Sequence, residues 1–268
     1  MSDKLLETLS TSPACARLSR RDLLEFAAKG AASVVVSQSV FLACAAGAAS
    51  ATDTSASSGT TGTTGTTPTG ASCVLTAALT EGPFFVDEKL NRSDIRTDPG
   101  TGAVAAGIPL ALTFNVSRVA NSACTPLTSA YLDVWHCDST GVYSDVSGSS
   151  RKFLRGYQIT DGNGVAAFTT IYPGWYGGRA VHIHFKLRLY AGSSKTYEFT
   201  SQFFFDDTLT DSVYTQSPYS TRASRDTHNA NDGIYNSLST NDKAGLTLQT
   251  SKAGDGYAGV INLGVKVG

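Results

Sequence analysis

Apolar and polar side chains alternate along much of the chain from Leu110 onward. Every second position is apolar over 110–116, 132–134, 181–189 and 261–267, and the same rhythm continues over 197–205 except at Ser201, with mostly polar or small side chains in between. A period of two is typical of β-strands that bury one face and leave the other in water. No long segment shows the spacing of an amphipathic helix. The pattern predicts an all-β fold, a β-sandwich of mainly antiparallel strands.

Turn signals separate the predicted strands. The tetrapeptides Asp161–Gly164 (Asp-Gly-Asn-Gly) and Ala191–Ser194 (Ala-Gly-Ser-Ser) are typical of tight connections, and each predicts a β-hairpin. The stretch 206–242 is polar and mixed. We expect loops and short helices there, covering the end of the sandwich that carries the candidate metal site.

The first residues are typical of an export signal. Adjacent arginines, Arg20 and Arg21, precede the stretch 27–50, which is too short and too interrupted by Ser, Gln and Gly to span a membrane comfortably. The order of charged, apolar and small residues predicts a twin-arginine signal region over 1–44. We therefore expect an exported bacterial protein that is periplasmic, held at the cell surface or secreted. The alternative is a short amphipathic helix at the start of a cytosolic protein.

The segment Phe41–Cys44 (Phe-Leu-Ala-Cys) resembles a bacterial lipoprotein cleavage site, in which the cysteine becomes the lipidated first residue. A single lipid on Cys44 would anchor the protein to a membrane surface without spanning it. Cleavage by an ordinary signal peptidase after a small-x-small stretch is the alternative.

Residues 45–71 are mostly Ala, Ser, Thr and Gly, which cannot bury a core and predict a flexible tether. Residues 72–268 remain as one domain, long enough for a proper core. The formal net charge of −1 and the absence of basic runs argue against a nucleic-acid partner.

The predicted domain contains three cysteines, Cys73, Cys124 and Cys137. An exported compartment is oxidising enough for a disulfide, and three cysteines permit one bridge and one spare thiol. Sequence alone does not decide the pairing. The bridge that we favour joins Cys124 to Cys137, because it would close a hairpin-sized loop.

His182 and His184 lie two residues apart in the predicted strand 181–189. Because neighbouring side chains of a strand point to opposite faces, both imidazoles project away from the face that carries Val181, Ile183 and Phe185. Such a short motif more commonly gives two solvated or cross-strand-paired histidines. Two neutral imidazoles side by side are nevertheless half of a site for Zn, Cu, Fe or Ni.

Tyrosines complete this half-site better than the other histidines do. His136 shares the inward face of its strand and is expected to be a core histidine, and His228 lies in a loop-rich segment. Tyr176 lies six residues before His182, and Tyr143 lies in the turn after another predicted strand. A phenol beside ferric iron loses its proton well below its usual pKa of about 10. Two phenolates would neutralise two of the three charges of the ion.

Five segments of the chain together resemble the intradiol ring-cleavage dioxygenases, which include the catechol 1,2-, hydroxyquinol and protocatechuate 3,4-dioxygenases. The resemblance is closest to the shorter, exported members and covers about Thr80–Asp207 with good spacing. The segments are Thr80–Asp87 (TEGPFFVD), Arg92–Arg96 (RSDIR), Asp133–Ser144 (DVWHCDSTGVYS), Phe168–Phe185 (FTTIYPGWYGGRAVHIHF) and Ser201–Asp207 (SQFFFDD).

The resemblance implies an enzyme that cleaves a catechol-type ring with O2 between its two hydroxylated carbons, giving cis,cis-muconate-type diacids. Arg179, three residues before the first histidine, would steady negative charge on the substrate, and Gln202 would act beside it. Tyr176 would be the ligand that the substrate displaces. The implied cofactor is a non-haem Fe(III) held by Tyr143, Tyr176, His182 and His184.

The sequence leaves the oligomeric state and the class of function open. The intracellular catechol enzymes of the family carry a helical dimerisation region where this chain has its leader and tether, so monomer and homodimer are both compatible with the sequence. The alternative function is a non-catalytic cell-surface β-sandwich module that binds sugars or aromatic polymers. Such a module would use Trp175 and Tyr172, which we expect to be exposed. Phe84 and Phe85 are expected to pack near the site.

Overall fold

The computed structural model describes residues 74–121, 123–146 and 150–268 of this 268-residue chain. The signal region predicted over 1–44, the tether predicted over 45–71, Cys44 and Cys73 lie outside the described residues. Within the described ranges, no helix is both long enough and apolar enough to cross a membrane.

Nine β-strands lie in the described part of the chain, and they form two sheets. The strands are β1 (Pro109–Ala120), β2 (Ala123–Pro126), β3 (Tyr131–Trp135), β4 (Arg155–Ile159), β5 (Val165–Ile171), β6 (His182–Ala191), β7 (Ser194–Phe204), β8 (Gln249–Ala253) and β9 (Gly256–Val265). One sheet has the order β2-β1-β9-β8, with β5 also paired to β1, and the four-stranded sheet has the order β4-β3-β6-β7. These pairings are antiparallel except that of β1 with β9. The predicted β-sandwich is confirmed.

The polar region after β7 folds into short helices, as predicted from its composition. They are α1 (Asp207–Tyr214), α2 (Gly233–Asn236) and α3 (Thr240–Leu246), with 3-10 turns at Tyr219–Thr221 and Asn229–Asn231. The side chains of Asp206, Asp232 and Ser239 accept hydrogen bonds from backbone N–H groups in the first turns of α1, α2 and α3. Such N-cap contacts satisfy donors that have no partner inside the helix.

The core lies between the two sheets and follows the alternation of the sequence. Along β1, the residues from Leu110 to Val116 are buried at every second position. The Phe114 ring lies 5.9 Å from the rings of Phe168, Phe185 and Phe203, so both sheets meet at this side chain. Burying one large apolar side chain contributes roughly 1.5–3 kcal/mol. The periodic burial therefore determines which face of each strand points inward.

One row of paired residues crosses the four-stranded sheet on its other face. Arg155 of β4 pairs with Trp135 of β3, Trp135 pairs with His184 of β6, and His184 pairs with Gln202 of β7. Paired residues on neighbouring strands project to the same side of a sheet. Ile183, next to His184, lies in the core, so the row faces away from the core. We call these four residues the outer row.

The outer row is buried because the segment 79–92, which we call the strap, runs across this face of the sheet. The strap is tied to the sheet at both ends. The Leu79 N–H donates to Thr200 O at 3.0 Å, and the Tyr157 N–H donates to Leu90 O at 2.8 Å. Each residue of the outer row is at most 3% exposed. The two histidines are thus on the polar face, as predicted, and are shielded from water.

One of the two predicted hairpins is confirmed and the other is wrong. The turn Ala191–Ser194 joins β6 and β7, which pair with each other. The turn Asp161–Gly164 is present, with the Asp161 N–H donating to Val165 O at 2.9 Å. The strands on either side of it, however, pair with β3 and β1 in different sheets. Turn residues specify a chain reversal, whereas the choice of strand partner depends on tertiary packing.

The favoured disulfide between Cys124 and Cys137 is wrong. Cys137 is a buried free thiol that donates to Gly174 O at 3.3 Å. Cys124 is disulfide-bonded, and therefore to another cysteine. Cys124 lies on the exposed strand β2, whereas Cys137 is buried at the start of the loop that follows β3. A short separation along the chain does not bring two side chains to the same side of the fold.

His136 is a core histidine, as predicted. Its Nδ1–H donates to Cys137 O at 2.8 Å, and its Nε2 accepts from Thr170 Oγ1 at 2.7 Å. Burial lowers the pKa of this imidazole from 6.5 to about 4. The ring is therefore neutral at neutral pH. It links the backbone carbonyl of Cys137 to the side-chain hydroxyl of Thr170 inside the fold.

We expect the metal-free protein to lose stability as the pH falls from about 6.5 toward 4. In the unfolded chain His136 takes up a proton near pH 6.5, whereas in the folded chain it stays neutral down to about pH 4. Its contribution is therefore present above pH 6.5 and is lost as the pH falls, by ~3 kcal/mol in total. Urea unfolding at a series of pH values measures this loss. The variant His136→Gln should show a correspondingly smaller pH dependence, and an unchanged dependence would contradict the assignment.

Candidate metal centre

The strap contacts His184 and Gln202, the two residues of the outer row on β6 and β7. Gln202 Nε2 donates to Thr80 O at 2.7 Å. Gly82 has φ +70°, and a Cβ added there would lie 3.4 Å from His184 Cε1. The left-handed backbone and the close approach to the imidazole both favour glycine at this position. The strap therefore passes directly over the His184 ring.

The strap also contacts the other half of the outer row. The Phe85 ring packs against the Trp135 ring with centroids 4.8 Å apart. Arg155 Nη1 donates to the backbone carbonyl of Phe84 at 3.1 Å. Every member of the outer row thus has a partner in the strap, which explains why polar side chains on this face are removed from solvent.

The two imidazoles of the predicted pair converge. His182 Nε2 and His184 Nε2 lie 3.1 Å apart. The Nδ1 atom of His182 lies 2.6 Å from Ala180 O. Because a carbonyl only accepts, Nδ1 carries the proton and Nε2 presents a lone pair. Burial, with the charge of Arg179, lowers the pKa of His182 to about 3, and burial with His182 holds the pKa of His184 well below its usual value. Both rings are therefore neutral, which is the form that binds metals.

The two predicted tyrosine ligands lie at the same place. Tyr176 Oη is 3.1 Å from His182 Nε2. The Tyr143 ring lies 5.7 Å from the Tyr176 ring and 6.2 Å from the His184 ring. Tyr143 is buried, and its hydroxyl has no hydrogen-bond partner in the described part of the protein. The fold thus brings all four predicted ligands together.

Two interlocking loops deliver these tyrosines. One loop follows β3 and carries Tyr143, and the other joins β5 to β6 and carries Tyr176. The Gly174 N–H donates to Asp138 O at 3.0 Å. A Cβ at Gly141, which has φ +85°, would lie 2.1 Å from Trp175 O. The two backbones pack so closely that only glycine fits at Gly141.

Arg179 is held beside the imidazoles by two side chains from other parts of the chain. Its Nε donates to Asp232 Oδ2 at 2.8 Å, and its Nη2 donates to Gln202 Oε1 at 2.6 Å. Its Nη1 is 3.5 Å from His182 Nε2. The structure therefore places the predicted Arg179 and Gln202 beside the candidate ligands, with one edge of the guanidinium facing His182.

Asp232 is a site residue that sequence reasoning missed. It is fully buried and also accepts hydrogen bonds from the N–H groups of Ala180, Ile234 and Tyr235. Together with Arg179 Nε, these donors hold its pKa below the usual value although burial opposes this. Its only sequence signal is an N-cap residue before a short helix, which does not identify the arginine as its partner.

The aromatic residues near the site depart in part from expectation. The Phe84 ring stacks on the Tyr143 ring with centroids 4.3 Å apart, which confirms that Phe84 packs at the site. Tyr172 is fully buried, with its hydroxyl 2.8 Å from Thr210 Oγ1. The expected exposure of Tyr172 is wrong. Trp175 is half-buried and is covered by the Arg222 guanidinium, 4.4 Å from the ring centroid.

The donor set fits a hard, highly charged cation. Among the described residues, no group of three or more His, Cys, Asp and Glu side chains could hold a metal. The available donors are therefore two neutral imidazoles and two phenols. Burial raises the pKa of Tyr143 well above its usual range and also raises that of Tyr176. Only a strong local positive charge would deprotonate such phenols, and ferric iron provides one. The partnerless hydroxyl of Tyr143 is consistent with this ion.

The chain is similar to dioxygenases. A family model described as "Dioxygenase" matches residues 80–233, which contain every site residue named above. An intradiol ring-cleavage dioxygenase from Tetranychus urticae is 29% identical, with a TM-score of 0.62, over 72% of this chain and 95% of that one. The dioxygenase domain of a dioxygenase carbohydrate-binding protein fusion from Streptomyces sp. SirexAA-E is 27% identical, with a TM-score of 0.52, over 73% of this chain and 100% of that one.

A more distant structure shares the fold. Hydroxyquinol 1,2-dioxygenase from Pseudomonas putida DLL-E4 is 18% identical, with a TM-score of 0.50, over 72% of this chain and 67% of that one. No curated protein matches the chain.

We expect Gly141→Ala to disrupt the interlock of the two tyrosine loops. The added Cβ would clash with Trp175 O, and alanine is also strained in the left-handed backbone conformation of Gly141. The free energy of unfolding should therefore fall by ~2–5 kcal/mol. Gly102→Ala is the matched control, because Gly102 has φ +74° but nothing lies within 4 Å of its added Cβ. That control should lose only ~1–2 kcal/mol. Urea unfolding measures both, and equal losses would show that the close approach to Trp175 is unimportant.

Proposed function

The chain belongs to the intradiol ring-cleavage dioxygenase family, and on this premise we propose that it is a non-haem Fe(III) enzyme. It would use O2 to cleave a catechol-type substrate between the two hydroxylated carbons, giving a cis,cis-muconate-type diacid. The observation that carries the proposal is the convergence of His182 Nε2, His184 Nε2 and Tyr176 Oη within 3.1 Å contacts, beside the partnerless phenol of Tyr143.

Each residue of the site has a distinct role in this proposal. His182 and His184 supply neutral nitrogen ligands, and Tyr143 supplies a buried phenolate. When bound, ferric iron would supply the Lewis acidity that makes a catechol reactive toward O2. Tyr176 is more exposed than Tyr143, so its phenolate is the one that can turn away from the ligand position, accept a proton from a catechol hydroxyl and become a neutral phenol.

Arg179 and Gln202 act on charge in the substrate. The Nη1 edge of Arg179 faces the imidazoles, whereas its other two nitrogens are held by Asp232 and Gln202. A guanidinium held in this way needs no reorientation when negative charge develops on the bound ring. Preorganised positive charge in a closed site can stabilise such a transition state by roughly a few kcal/mol.

The alternative function, a non-catalytic binding module, required Trp175 and Tyr172 to be exposed, and Tyr172 is not. A flat aromatic surface for sugars or polymers would need exposed rings, and Tyr172 is fully buried. Export by the twin-arginine signal, lipidation of Cys44 and the choice between monomer and homodimer remain proposals. The first two concern residues outside the described part of the chain.

Iron loading and oxygen uptake test the proposed function. Tyrosinate bound to Fe(III) absorbs broadly in the visible range, so the iron-loaded protein should be burgundy and should consume O2 with catechol, protocatechuate or hydroxyquinol. Tyr143→Phe should lose part of the band and most of the turnover. Tyr131→Phe is the matched control, because Tyr131 stacks on Tyr157 away from the ligands. A wild-type protein that stays colourless after iron is added would contradict the proposal.

We expect Asp232→Asn to impair turnover without removing iron. The amide cannot neutralise the Arg179 guanidinium, and it cannot accept from both Arg179 and the α2 N-terminus through two oxygens. The kcat/KM for the preferred catechol should fall about 10- to 100-fold while the visible band is retained. Asp226→Asn is the control, since Asp226 accepts from Gly178 in the same loop, whereas the Arg179 ion pair in the described part of the protein is made by Asp232. Loss of iron in Asp232→Asn would assign this aspartate to metal retention instead.

A further inference from the structure

Arg155 is a buried cation that the proposed chemistry does not use. It occupies the β4 end of the outer row and is 3% exposed. Its Nη1 donates to Phe84 O at 3.1 Å, its Nε donates to Ser144 Oγ at 2.9 Å, and its Nη2 donates to Ser144 O. The planar guanidinium thus joins the strap to the loop that follows β3.

Both partners of Arg155 are in contact with Tyr143. Ser144 follows Tyr143 in the chain, so its carbonyl and hydroxyl restrain the backbone that carries the phenol. Phe84 stacks on the Tyr143 ring with centroids 4.3 Å apart and planes 22° apart. One guanidinium therefore restrains the backbone of Tyr143 from one side and its stacking partner from the other.

The charge of Arg155 is not balanced by a direct ion pair. In the described part of the protein, no carboxylate lies within 4.0 Å of its guanidinium, and its acceptors are uncharged oxygens. The carboxylates of Asp145 and Glu88 act on it only from beyond that distance, and Arg92 is a like charge nearby. Burying an unpaired charge is unfavourable.

Arg92 offers a contrast within the same part of the fold. It also donates to backbone oxygens, namely the carbonyls of Arg155, Thr97 and Lys152. Arg92 lies at the end of the strap and holds the backbone carbonyl of Arg155, and in the described part of the protein it makes no hydrogen bond to Phe84 or Ser144. Loss of Arg92 should weaken the fold without moving Tyr143.

We propose that Arg155 is a positioning residue for the metal ligand Tyr143, acting through the Ser144 backbone and the Phe84 ring. This inference rests on the proposed function, because Tyr143 is a ligand only if the site holds iron. A lysine could donate to one of the two carbonyls but has no planar fork that spans both.

The experiment compares iron binding by wild type, Arg155→Met, Arg155→Lys and the control Arg92→Met. Ferric iron is supplied as ferric citrate, and affinity is measured by the visible band and by the increase in Tm that iron produces over the metal-free protein. Arg155→Met should bind iron about 10- to 100-fold more weakly and show a smaller iron-dependent increase in Tm. Arg155→Lys should fall between Arg155→Met and wild type. Arg92→Met should lower Tm equally with and without iron.

The outcomes separate this inference from the proposed function. Wild-type iron affinity in folded Arg155→Met or in Arg155→Lys would overturn the positioning role. So would an equal loss of iron affinity in Arg92→Met, because the effect would then be a general weakening of the fold. If Arg155→Met does not fold, Arg155→Lys decides the question. A wild-type protein that binds no iron would instead overturn the proposed function, and this inference with it.

Discussion

The site depends on two neutral imidazoles held with their Nε2 atoms 3.1 Å apart on a face that excludes water. Burial keeps both rings uncharged, and the hydrogen bond from His182 Nδ1 to Ala180 O turns the lone pair of Nε2 toward Tyr176. Electron-rich groups brought this close repel one another unless a proton or a cation lies between them. The strap and the tyrosine loops have a common effect, which is to keep this small space closed and its donors aimed inward.

The same strap also supplies carboxylates that pair with two buried cations on β6. Past the histidines, the polar face of this strand continues as Lys186 and Arg188. Arg188 pairs with Asp133 at 2.7 Å and with Asp87 of the strap at 2.8 Å, and Lys186 pairs with Glu81 of the strap. Buried ion pairs add little net stability but define position, because an unpaired partner is costly. The strap is therefore placed over the imidazoles by charges further along the same strand.

Periodicity and motif spacing predicted much of this arrangement, and the failures have a common cause. Alternation along 181–189 put both histidines on one face because side-chain direction in a strand has a period of two. The Cys124–Cys137 pairing was inferred from short sequence separation and the hairpin at Asp161–Gly164 from its turn residues, and both are wrong. Nearness along the chain specifies local reversal, whereas the partner across the fold depends on which faces are buried together.

The sequence alone determined the strand class, the face on which the histidines lie and, through resemblance, the identity of the four candidate ligands. Only the tertiary structure decided which residues hold the side chains and loops around these ligands in place. Asp232 reaches Arg179 across 53 positions, and Arg155 reaches Phe84 across 71. Neither contact leaves a periodic or local signal, because a single hydrogen-bond partner can come from any segment that the packing of the core brings within about 3 Å.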